Sequence, residues 1–481
     1  MFRVSGGSNI KYARNTSATA IGMGFLKDEL NDISFAMGYP TSGHPSGTDR
    51  IATDVGFFVN GNFSLFNRYF VDGSFRTSGS SRFGADNSFA PFWAAGIGWN
   101  IHNEEFMSGA DWLDRLTLRY STGYTGSVSF DYYQAKTVYE YNSNYQYYTG
   151  IGAVPISMGN PNLSWQKKFN NNVGLTGTFF KNRLNVSFDW YTNTTYDLLM
   201  PINLPPSVGV SSMNVNFGQI NNSGFDFSLS GHIISTKDWF WSMTLTGGHV
   251  MDRINNISTV LKGTEADAVG SEGDAIMPKL LFTEGGSQFD IYAVRSAGID
   301  PATGQEIFIK KDGTYTYKYD EDDRVAVGNS NPALNGSWIN TLRYKGFTLS
   351  VTTSYTFGAD FYNTTLQSKV ENIDPYKNVD ARAYTERWKN PGDLVRFLAI
   401  KTTTNQTINS ERFVERRNEL YVSNVQFTYD FKTNWLNKIG LKRLCLGVGM
   451  SDIGYISTVK FERGTSYPYC RSINLIFRPT F

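Results

Sequence analysis

Seven tyrosines crowd one segment of the chain beside amide side chains, and their chemistry suits the binding of a neutral sugar. The tyrosines are Tyr132, Tyr133, Tyr139, Tyr141, Tyr145, Tyr147 and Tyr148, and the amides are Asn142, Asn144 and Gln146. Aromatic rings offer apolar faces on which sugar rings stack, and amides exchange hydrogen bonds with hydroxyl groups. The same tyrosines could instead pack against neighbouring loops or a partner protein, so two interpretations stay open.

Other residues that could do chemistry form no recognisable catalytic or metal-binding pattern. The sequence contains no GxSxG, HExxH or Walker motif, and no GxGxxG that a helix follows. His44, His102, His232 and His249 are scattered, and Cys445 and Cys470 lack metal-site spacing, although adjacent strands could bring the two cysteines together as a disulfide. The acidic run 320–323 is better explained as solvated loop charge, or as carboxylates that bind divalent ions next to lipopolysaccharide, than as an acid/base site. We therefore predict no enzyme activity, no cofactor and no metal.

The carboxy-terminal residues have the clearest periodic pattern. In RSINLIFRPTF, from Arg471 to Phe481, an apolar face alternates with a polar one, and the apolar face consists of Ile473, Leu475, Phe477, Pro479 and Phe481. This period of two is that of an extended strand, and such a strand ending on an aromatic residue is typical of the last strand of an outer-membrane β-barrel. Ile473, Leu475, Phe477 and Phe481 are predicted to face lipid and to act as the signal for the barrel insertion machinery. Pro479 cannot donate a ladder hydrogen bond, so we expect it near the periplasmic rim.

The same alternation recurs along most of the chain and predicts the elements that must carry the tyrosine-rich segment. Thirteen complete strands are predicted to begin near Ala52, Arg68, Phe89, Asp114, Gln166, Asn182, Val215, Asp238, Pro332, Gly346, Asn418, Leu441 and Arg471. Met1 to Ser5 is predicted to be the tail of a fourteenth strand. An external loop is then predicted from Gly6 to Asp49.

Short and long connections alternate between these strands. Short turns are predicted at Phe66 to Arg68, Lys181 to Asn182, Ser235 to Lys237, Lys345 to Gly346 and Thr433 to Ile439, and long ones at Gly126 to Leu163, Met251 to Asn331 and Ala359 to Arg417. Outer-membrane barrels keep short turns in the periplasm and long loops outside. A β-sandwich also has alternating faces, but it has no reason to keep every long loop on one side. The predicted fold class is all-β, an antiparallel transmembrane β-barrel incomplete at its amino terminus, with about 13 to 14 strands of a roughly 22-stranded barrel.

Composition excludes several other classes of protein. The chain has 481 residues, among them 35 Phe, 28 Tyr and 10 Trp, yet it has no run of about 18 apolar residues that would form a transmembrane helix. A net charge of +1 gives no electrostatic reason to expect nucleic acid. No secretory leader begins at Met1, so the sequence is expected to be a fragment, a mature form or a cytoplasmic protein. A partial barrel would leave unpaired strand edges in lipid and is not expected to be stable there alone.

A set of longer segments carries more information than any single motif. They are, in chain order, RYFVDGSFRTSGSSRFG, FAPFWAAGIGWNIHNEEF, LTLRYSTGYTG, NPNLSWQKKFNNNVGLTGTFFKNRLNVSFDWYTNTTYDLL, NFGQINNSGFDFSLS, AGIDPATGQEIF, NPALNGSWINTLRYKGFTLSVTTSYTFG, RWKNPGD and RFVERRNELYVSNVQFTYDF. Each segment alone is weak evidence, but their common order is specific. Together they resemble the carboxy-terminal half of SusC/RagA-type TonB-dependent outer-membrane transporters, in the order of that family.

The resemblance implies that the parent protein imports an oligosaccharide, or a peptide, across the bacterial outer membrane. Its implied partners are a SusD-like surface lipoprotein, which delivers substrate, and the TonB complex, which pulls on a plug domain in the lumen. The plug, the TonB box and the first strands are absent, so residues 1–481 are predicted to be the carboxy-terminal part of the barrel. Two alternatives stay open: an outer-membrane adhesin or scaffold barrel, and a soluble glycan-binding β-sandwich.

Overall fold

The structure is a computed structural model of the chain. It describes all residues except 30–31, 41–45, 85–86, 128–131, 149, 205, 211, 217, 256–264, 267–279, 282, 374–375, 377–378, 401–407, 432–435, 437–439 and 461–469.

Strands dominate the part of the chain that the structure describes. In chain order they are β1 (Phe2–Thr19), β2 (Ser46–Leu65), β3 (Tyr69–Ser80), β4 (Phe89–Asn100), β5 (Leu113–Ser127), β6 (Val138–Tyr147), β7 (Gly150–Ser157), β8 (Gln166–Phe179), β9 (Leu184–Tyr196), β10 (Leu199–Asn203), β11 (Ser212–Asn216), β12 (Gln219–Ser235), β13 (Trp239–Asn255), β14 (Glu265–Ala266), β15 (Leu280–Leu281), β16 (Asp290–Ile299), β17 (Glu306–Ile309), β18 (Tyr315–Thr316), β19 (Arg324–Asn329), β20 (Leu334–Tyr344), β21 (Phe347–Tyr362), β22 (Val414–Phe431), β23 (Arg443–Ser457) and β24 (Ile473–Thr480).

In the part of the chain that the structure describes, helical structure occurs as short segments in the connections. They are one α-helical turn, α1 (Arg382–Thr385), a π-helix (Leu366–Glu371) and 3-10 turns at Ile33–Phe35, Ile101–Asn103, Glu105–Met107, Pro206–Val208, Glu321–Asp323 and Glu411–Phe413. Among the described residues, none of these helices is long and apolar enough to cross a membrane.

Fourteen strands form one antiparallel sheet in which each strand pairs with the nearest preceding and following strands of that sheet. The order is β1-β2-β3-β4-β5-β8-β9-β12-β13-β20-β21-β22-β23-β24. In the described structure β1 and β24 are its two edges, so the sheet is open. Antiparallel strands need only a hairpin between them, which explains this sequential order. The predicted all-β, antiparallel fold class is confirmed.

The two faces of the sheet differ in polarity. Trp190 lies opposite Phe225 on the pairing strand, and Asp189 lies opposite Asp226 on the other face, because directly paired residues share a face. Trp190 is 49% exposed, and many other large apolar side chains on its face are exposed as well. An extended apolar face of this kind is suited to lipid, whereas the polar face is suited to a water-filled lumen.

Aromatic side chains pair along the end of the sheet where the short turns lie. The rings of Trp239 and Tyr344 are 4.3 Å apart, and those of Phe347 and Tyr429 are 4.5 Å apart. Amphipathic rings prefer the boundary between lipid and water. These pairs therefore mark the periplasmic boundary of the membrane-spanning region.

Connections mostly alternate in length as the sequence predicts, although 101–112 is longer than 81–88. At one end they comprise residues 66–68, 101–112, 180–183, 236–238, 345–346 and 432–442, and at the other 20–45, 81–88, 128–165, 197–218, 256–333, 363–413 and 458–472. Tight turns use left-handed backbone at ordinary residues. Phe66 and Asn67, with φ of 50° and 55°, are the central residues of a turn closed by the hydrogen bond from Arg68 N to Leu65 O, and positive φ at both central residues is typical of hairpin turns. Most of the predicted turn from Thr433 to Ile439 lies outside the described residues.

The predicted external loop from Gly6 to Asp49 is wrong. Strand β1 continues to Thr19 and pairs with β2 without interruption, from Phe2 opposite Phe63 to Thr19 opposite Ser46. The first segment is therefore a long paired strand instead of a short tail, and the described sheet has fourteen strands. The outer part of this hairpin carries polar side chains at successive positions, such as Asn15, Thr16 and Ser17, so the alternation that marks a strand in lipid is lost while backbone pairing continues.

The predicted start of β12 is also wrong. Residues near Val215, predicted to begin a long strand, instead pair with β10 in a loop hairpin, and the long strand begins at Gln219.

The largest buried apolar cluster in the described residues lies in the external loops and at the outer end of β21. Its members are Ile291, Tyr362, Leu366, Val370, Ile373, Ala383, Phe397 and Phe413. Strands β16 to β19 form a separate four-stranded sheet beside this cluster. We call residues 290–329 and 363–413 together the loop assembly. Its own core gives it a fixed shape above the barrel wall.

Candidate functional site

A buried ion-pair network holds the loop assembly together. The Arg412 guanidinium lies 2.7 Å from Glu306 Oε2 and 2.7 Å from Glu371 Oε1, and all three side chains are less than a tenth exposed. Burial alone would lower the pKa of Arg412, but the hydrogen bond and charge of Glu306, together with Glu371, raise it above its ordinary value. Arg412 therefore stays charged and joins two loops.

A second buried arginine caps main-chain oxygens in the same assembly. Arg387 donates from Nε to Ala383 O at 2.8 Å and from Nη2 to Val370 O and Glu371 O at 2.7 Å each. Burial lowers its pKa below the ordinary value, with the charge of Glu371 opposing that effect. These hydrogen bonds satisfy carbonyl groups that the π-helix and α1 would otherwise bury unpaired.

Two of the segments that carry the family resemblance, 297–308 and 387–393, dock against each other. Trp388 Nε1 donates to Pro301 O at 2.8 Å, and Gly392 N donates to the same oxygen at 2.8 Å. Gly304 has φ of 71°, and a Cβ there would lie 2.5 Å from the Trp388 ring. These residues are therefore explained by loop architecture and not by contact with a ligand.

The first two predicted tyrosines contact other loops of the same chain. The rings of Tyr132 and Tyr133 are 6.4 Å apart, and the Arg82 guanidinium lies 4.8 Å from the centre of the Tyr132 ring. The Tyr133 hydroxyl accepts a hydrogen bond from Ile51 N at 3.1 Å. These contacts fit the interpretation in which the tyrosines pack against neighbouring loops.

The remaining tyrosines belong to the β6–β7 hairpin. Tyr139 is 63% exposed and Tyr148 is fully exposed. Tyr141, Tyr145 and Tyr147 lie on β6, but their side chains are outside the described part of the structure. The described tyrosines thus form two groups, one in contact with other loops and one open to solvent. A role in substrate binding stays a prediction.

The apolar side chains of the carboxy-terminal strand, β24, lie on the apolar face of the sheet. Ile473, Leu475 and Phe477 are each at least 66% exposed, as is Phe481 beyond the end of the strand. Leu475 is opposite Val448, which is also exposed on that face. Pro479 is opposite Leu444 next to the short-turn end, where its missing N–H costs least. The proposed signal for insertion stays a prediction.

A polar cavity of about 660 Å³ opens where β20 is shorter than its neighbours. β20 begins at Leu334, whereas β13 continues to Asn255 and β21 to Tyr362. Amides, hydroxyls and one ion pair, Asp360 with Arg416 at 3.0 Å, line the gap. The sequence analysis missed this cavity because its residues come from seven separate segments and none of them forms a motif.

A second polar cavity, of about 570 Å³, lies at the outer end of β1 to β5. Its lining includes Asn9, Lys11, Asp54, Arg76, Arg82, Phe92, Thr125 and Trp165. We call it the basic cavity. A third, of about 860 Å³, lies lower on the polar face and is lined mainly by small residues such as Gly73, Ala94 and Gly96.

The scattered histidines and cysteines form no site in the described structure. His102 Nδ1 contacts main-chain atoms of Leu116, His249 Nδ1 lies 2.8 Å from Pro332 O, and His44 falls outside the described residues. Cys445 is buried, Cys470 is exposed, and the two do not form a disulfide with each other. No group of three potential metal ligands occurs among the residues described.

Comparison with known proteins gives matches along most of the chain. The sequence profile of the family described as "TonB dependent receptor-like, beta-barrel" matches residues 4–401. TonB-dependent receptor P39 of Formosa agariphila is 26% identical over 427 residues, which are 80% of this chain and 41% of that protein. TonB-dependent receptor SusC of Bacteroides thetaiotaomicron is 26% identical over 406 residues, covering 80% of this chain and 38% of that protein.

Solved structures give the same fold. The RagAB peptide transporter structure matches with a TM-score of 0.80 and 22% identity, covering 95% of this chain and 50% of that one. The chain spans less than half the length of the curated relatives that it matches. The predicted resemblance, the transmembrane β-barrel fold and the outer-membrane location are confirmed.

Proposed function

Because the chain belongs to the TonB-dependent receptor-like β-barrel family, we propose that the protein containing it imports a nutrient across the outer membrane with energy from TonB. The observation that carries this proposal is the open fourteen-stranded sheet, which is apolar outside, polar inside and roofed by folded loops. A polar inner face with cavities provides a route for a hydrophilic substrate.

The two edges of the sheet support a longer parent barrel. Unpaired backbone groups of β1 and β24 would each cost several kcal/mol in lipid, so further strands are needed between them. We propose that these strands, the plug and the TonB box belong to the rest of the parent protein. Residues 1–481 would then be its carboxy-terminal part.

We propose an oligosaccharide as substrate and a SusD-like surface lipoprotein as partner. Cavities lined by amides, hydroxyls and charged groups match the hydroxyl-rich surface of a sugar, and a relative of the chain is SusC. Exposed Tyr139 and Tyr148 would either stack on the sugar or contact the lipoprotein. A peptide is the second candidate, which the likeness to the RagAB peptide transporter favours.

Uptake by cells tests the proposal and separates it from an adhesin or scaffold. Cells that express the full-length protein would be given fluorescent oligosaccharides and peptides, with TonB present or deleted and with a co-expressed SusD-like lipoprotein present or deleted. Internal label is expected only with TonB. Label that reaches the cell surface equally well in both strains, but never the periplasm, would support an adhesin instead.

A further inference from the structure

We propose that the basic cavity binds the carboxylate or sulfate group of an acidic oligosaccharide. Lys11 on β1, Asp54 on β2 and Arg76 on β3 meet at the outer end of the polar face, and Trp165 and Phe92 close the cavity from the side. The inference rests on the proposed import function and specifies its substrate class.

Arg76 is held in place by neutral groups. Its Nε donates to Ser78 Oγ at 2.7 Å, and its Nη2 donates to Asn9 Oδ1 at 3.2 Å. The guanidinium lies over Gly56, where an added Cβ would be 2.9 Å from Nη2. No carboxylate among the described residues lies within ion-pair distance of Arg76, so its charge remains available to a ligand. Guanidinium groups bind carboxylate and sulfate-like oxyanions with two parallel hydrogen bonds.

Lys11 and Asp54 are directly opposite each other in the ladder, yet they form no ion pair within the described structure. The lysine can therefore add a second positive charge toward an anion, and the aspartate can accept hydrogen bonds from sugar hydroxyls. Lys11 and Arg76 thus bring two cations to the cavity against the one carboxylate of Asp54. This excess of positive charge attracts an anionic group.

The apolar side of the cavity strengthens that attraction. Trp165 and Phe92 are buried, with ring centres 5.4 Å apart, and Trp165 also stacks on Phe83 at 4.5 Å. Low-polarity walls next to a charged group reduce screening by water, so the interaction with a ligand anion gains strength.

The geometry favours a glycan over an acidic peptide. Extended peptides commonly bind by adding a strand to a free sheet edge. At the cavity, Asp54 on β2 is paired with Lys11 on one side and Ser80 on the other, so the wall offers side chains and no backbone edge. Hydroxyl, amide and charged groups beside aromatic rings match the groups of an acidic sugar.

Binding by the purified full-length protein tests the inference. Dissociation constants would be measured by calorimetry for oligogalacturonate, a sulfated galactan oligosaccharide, a neutral xylo-oligosaccharide and an oligoglutamate peptide. At least one acidic glycan is expected to bind about tenfold more tightly than the neutral one at about 50 mM salt, with a smaller difference at about 300 mM. Comparison of the two acidic glycans distinguishes carboxylate from sulfate.

Three variants locate the site. Arg76→Gln and Lys11→Gln should each weaken acidic-glycan binding about tenfold without affecting the neutral glycan. Gly56→Ala keeps every charge but displaces Arg76, and it should give the same selective loss. Arg3→Gln, on the same polar face but in the 860 Å³ cavity, is the matched control and should bind like the parent protein. Heat-modifiable migration verifies that each variant is a folded barrel.

The outcomes separate this inference from the import function. Equal binding of acidic and neutral glycans, unchanged by Arg76→Gln, would overturn the anionic subsite and leave import intact. Binding of oligoglutamate alone would overturn the assignment of a glycan. Failure of every probe to bind or enter cells would overturn the subsite together with the function on which it rests.

Discussion

Arg412 and Glu306 are 106 residues apart in the sequence, and their side chains form a buried 2.7 Å ion pair between two external loops. Glu371 contacts the same guanidinium and draws the π-helix into the network. Because the pair lies beside the apolar core of the loop assembly, the two loops form one folded unit. Its rigidity can be tested by disrupting that network.

Arg412→Gln should open the loop assembly. The substitution leaves two buried carboxylates without their partner, which costs about 3 to 5 kcal/mol in comparable sites. Limited proteolysis of the full-length protein should cut within 363–413 much faster than in the parent protein. Arg396→Gln is the control because its pair with Glu415 is partly exposed, and it should cost less than about 1 kcal/mol. Equal cleavage of the two variants would contradict the assigned role of Arg412.

Gly304→Ala should loosen the contact between the two docked segments. The new methyl group would clash with the Trp388 ring at a position that also has φ of 71°, and we expect a cost of about 1 to 3 kcal/mol. Hydrogen exchange at residues 387–393 should rise. Gly313→Ala provides the comparison, since Gly313 also has positive φ (87°) but no atom within 4 Å of an added Cβ. A similar rise in hydrogen exchange at residues 387–393 in the Gly313→Ala variant would mean that contact with the Trp388 ring is not the cause.

Asp380 should make the start of α1 sensitive to acid. Hydrogen bonds from the Arg382 side chain, with help from its backbone N–H, lower the pKa of Asp380 from 3.8 to about 2. Since the folded-state pKa is lowered, the stabilisation is present above pH 3.8 and disappears as the pH falls through about 2. Protection of residues 380–386 against pulsed proton exchange should decrease over that range. The Asp380→Asn variant should show low protection over the whole pH range and no such decrease. If its protection changed with pH as that of the parent protein does, Asp380 would not be the origin of the acid sensitivity.

Deletion of Phe481 should reduce the amount of assembled barrel in the outer membrane. The exposed apolar face of β24 ends at this ring, and its loss weakens the pattern that we predict the insertion machinery binds. Immunoblots should show less heat-modifiable protein and more degraded or periplasmic material. Thr480→Ser, on the polar face, is the matched control. Normal amounts of surface-exposed protein after the deletion would mean that Phe481 has a structural role only.

Membrane-spanning strands were predictable because lipid on one side and water on the other impose a period of two on their side chains. That constraint ends where a strand extends beyond the lipid, and the pattern at Asn15, Thr16 and Ser17 accordingly predicted a loop where β1 continues. The loop assembly was not predictable because Leu366, Phe397 and Phe413 come together from irregular segments with no shared period. Nor did any spacing reveal the basic cavity, since Lys11 and Arg76 become neighbours only through the register of β1, β2 and β3.

The sequential order of the large sheet makes the external loops exchangeable parts. Every loop leaves one strand and returns on the next strand of that sheet, so its two ends stay fixed whatever its length, and doubling that length costs only about 0.6 kcal/mol of closure entropy. A loop that contacts no other loop could therefore be grafted singly between members of the family without disturbing the wall. Loops in contact must be moved together: Arg412 and Glu306 join 256–333 to 363–413, and Phe83 stacks on Trp165 to join 81–88 to 128–165, so a chimaera that receives one loop of such a pair must receive both.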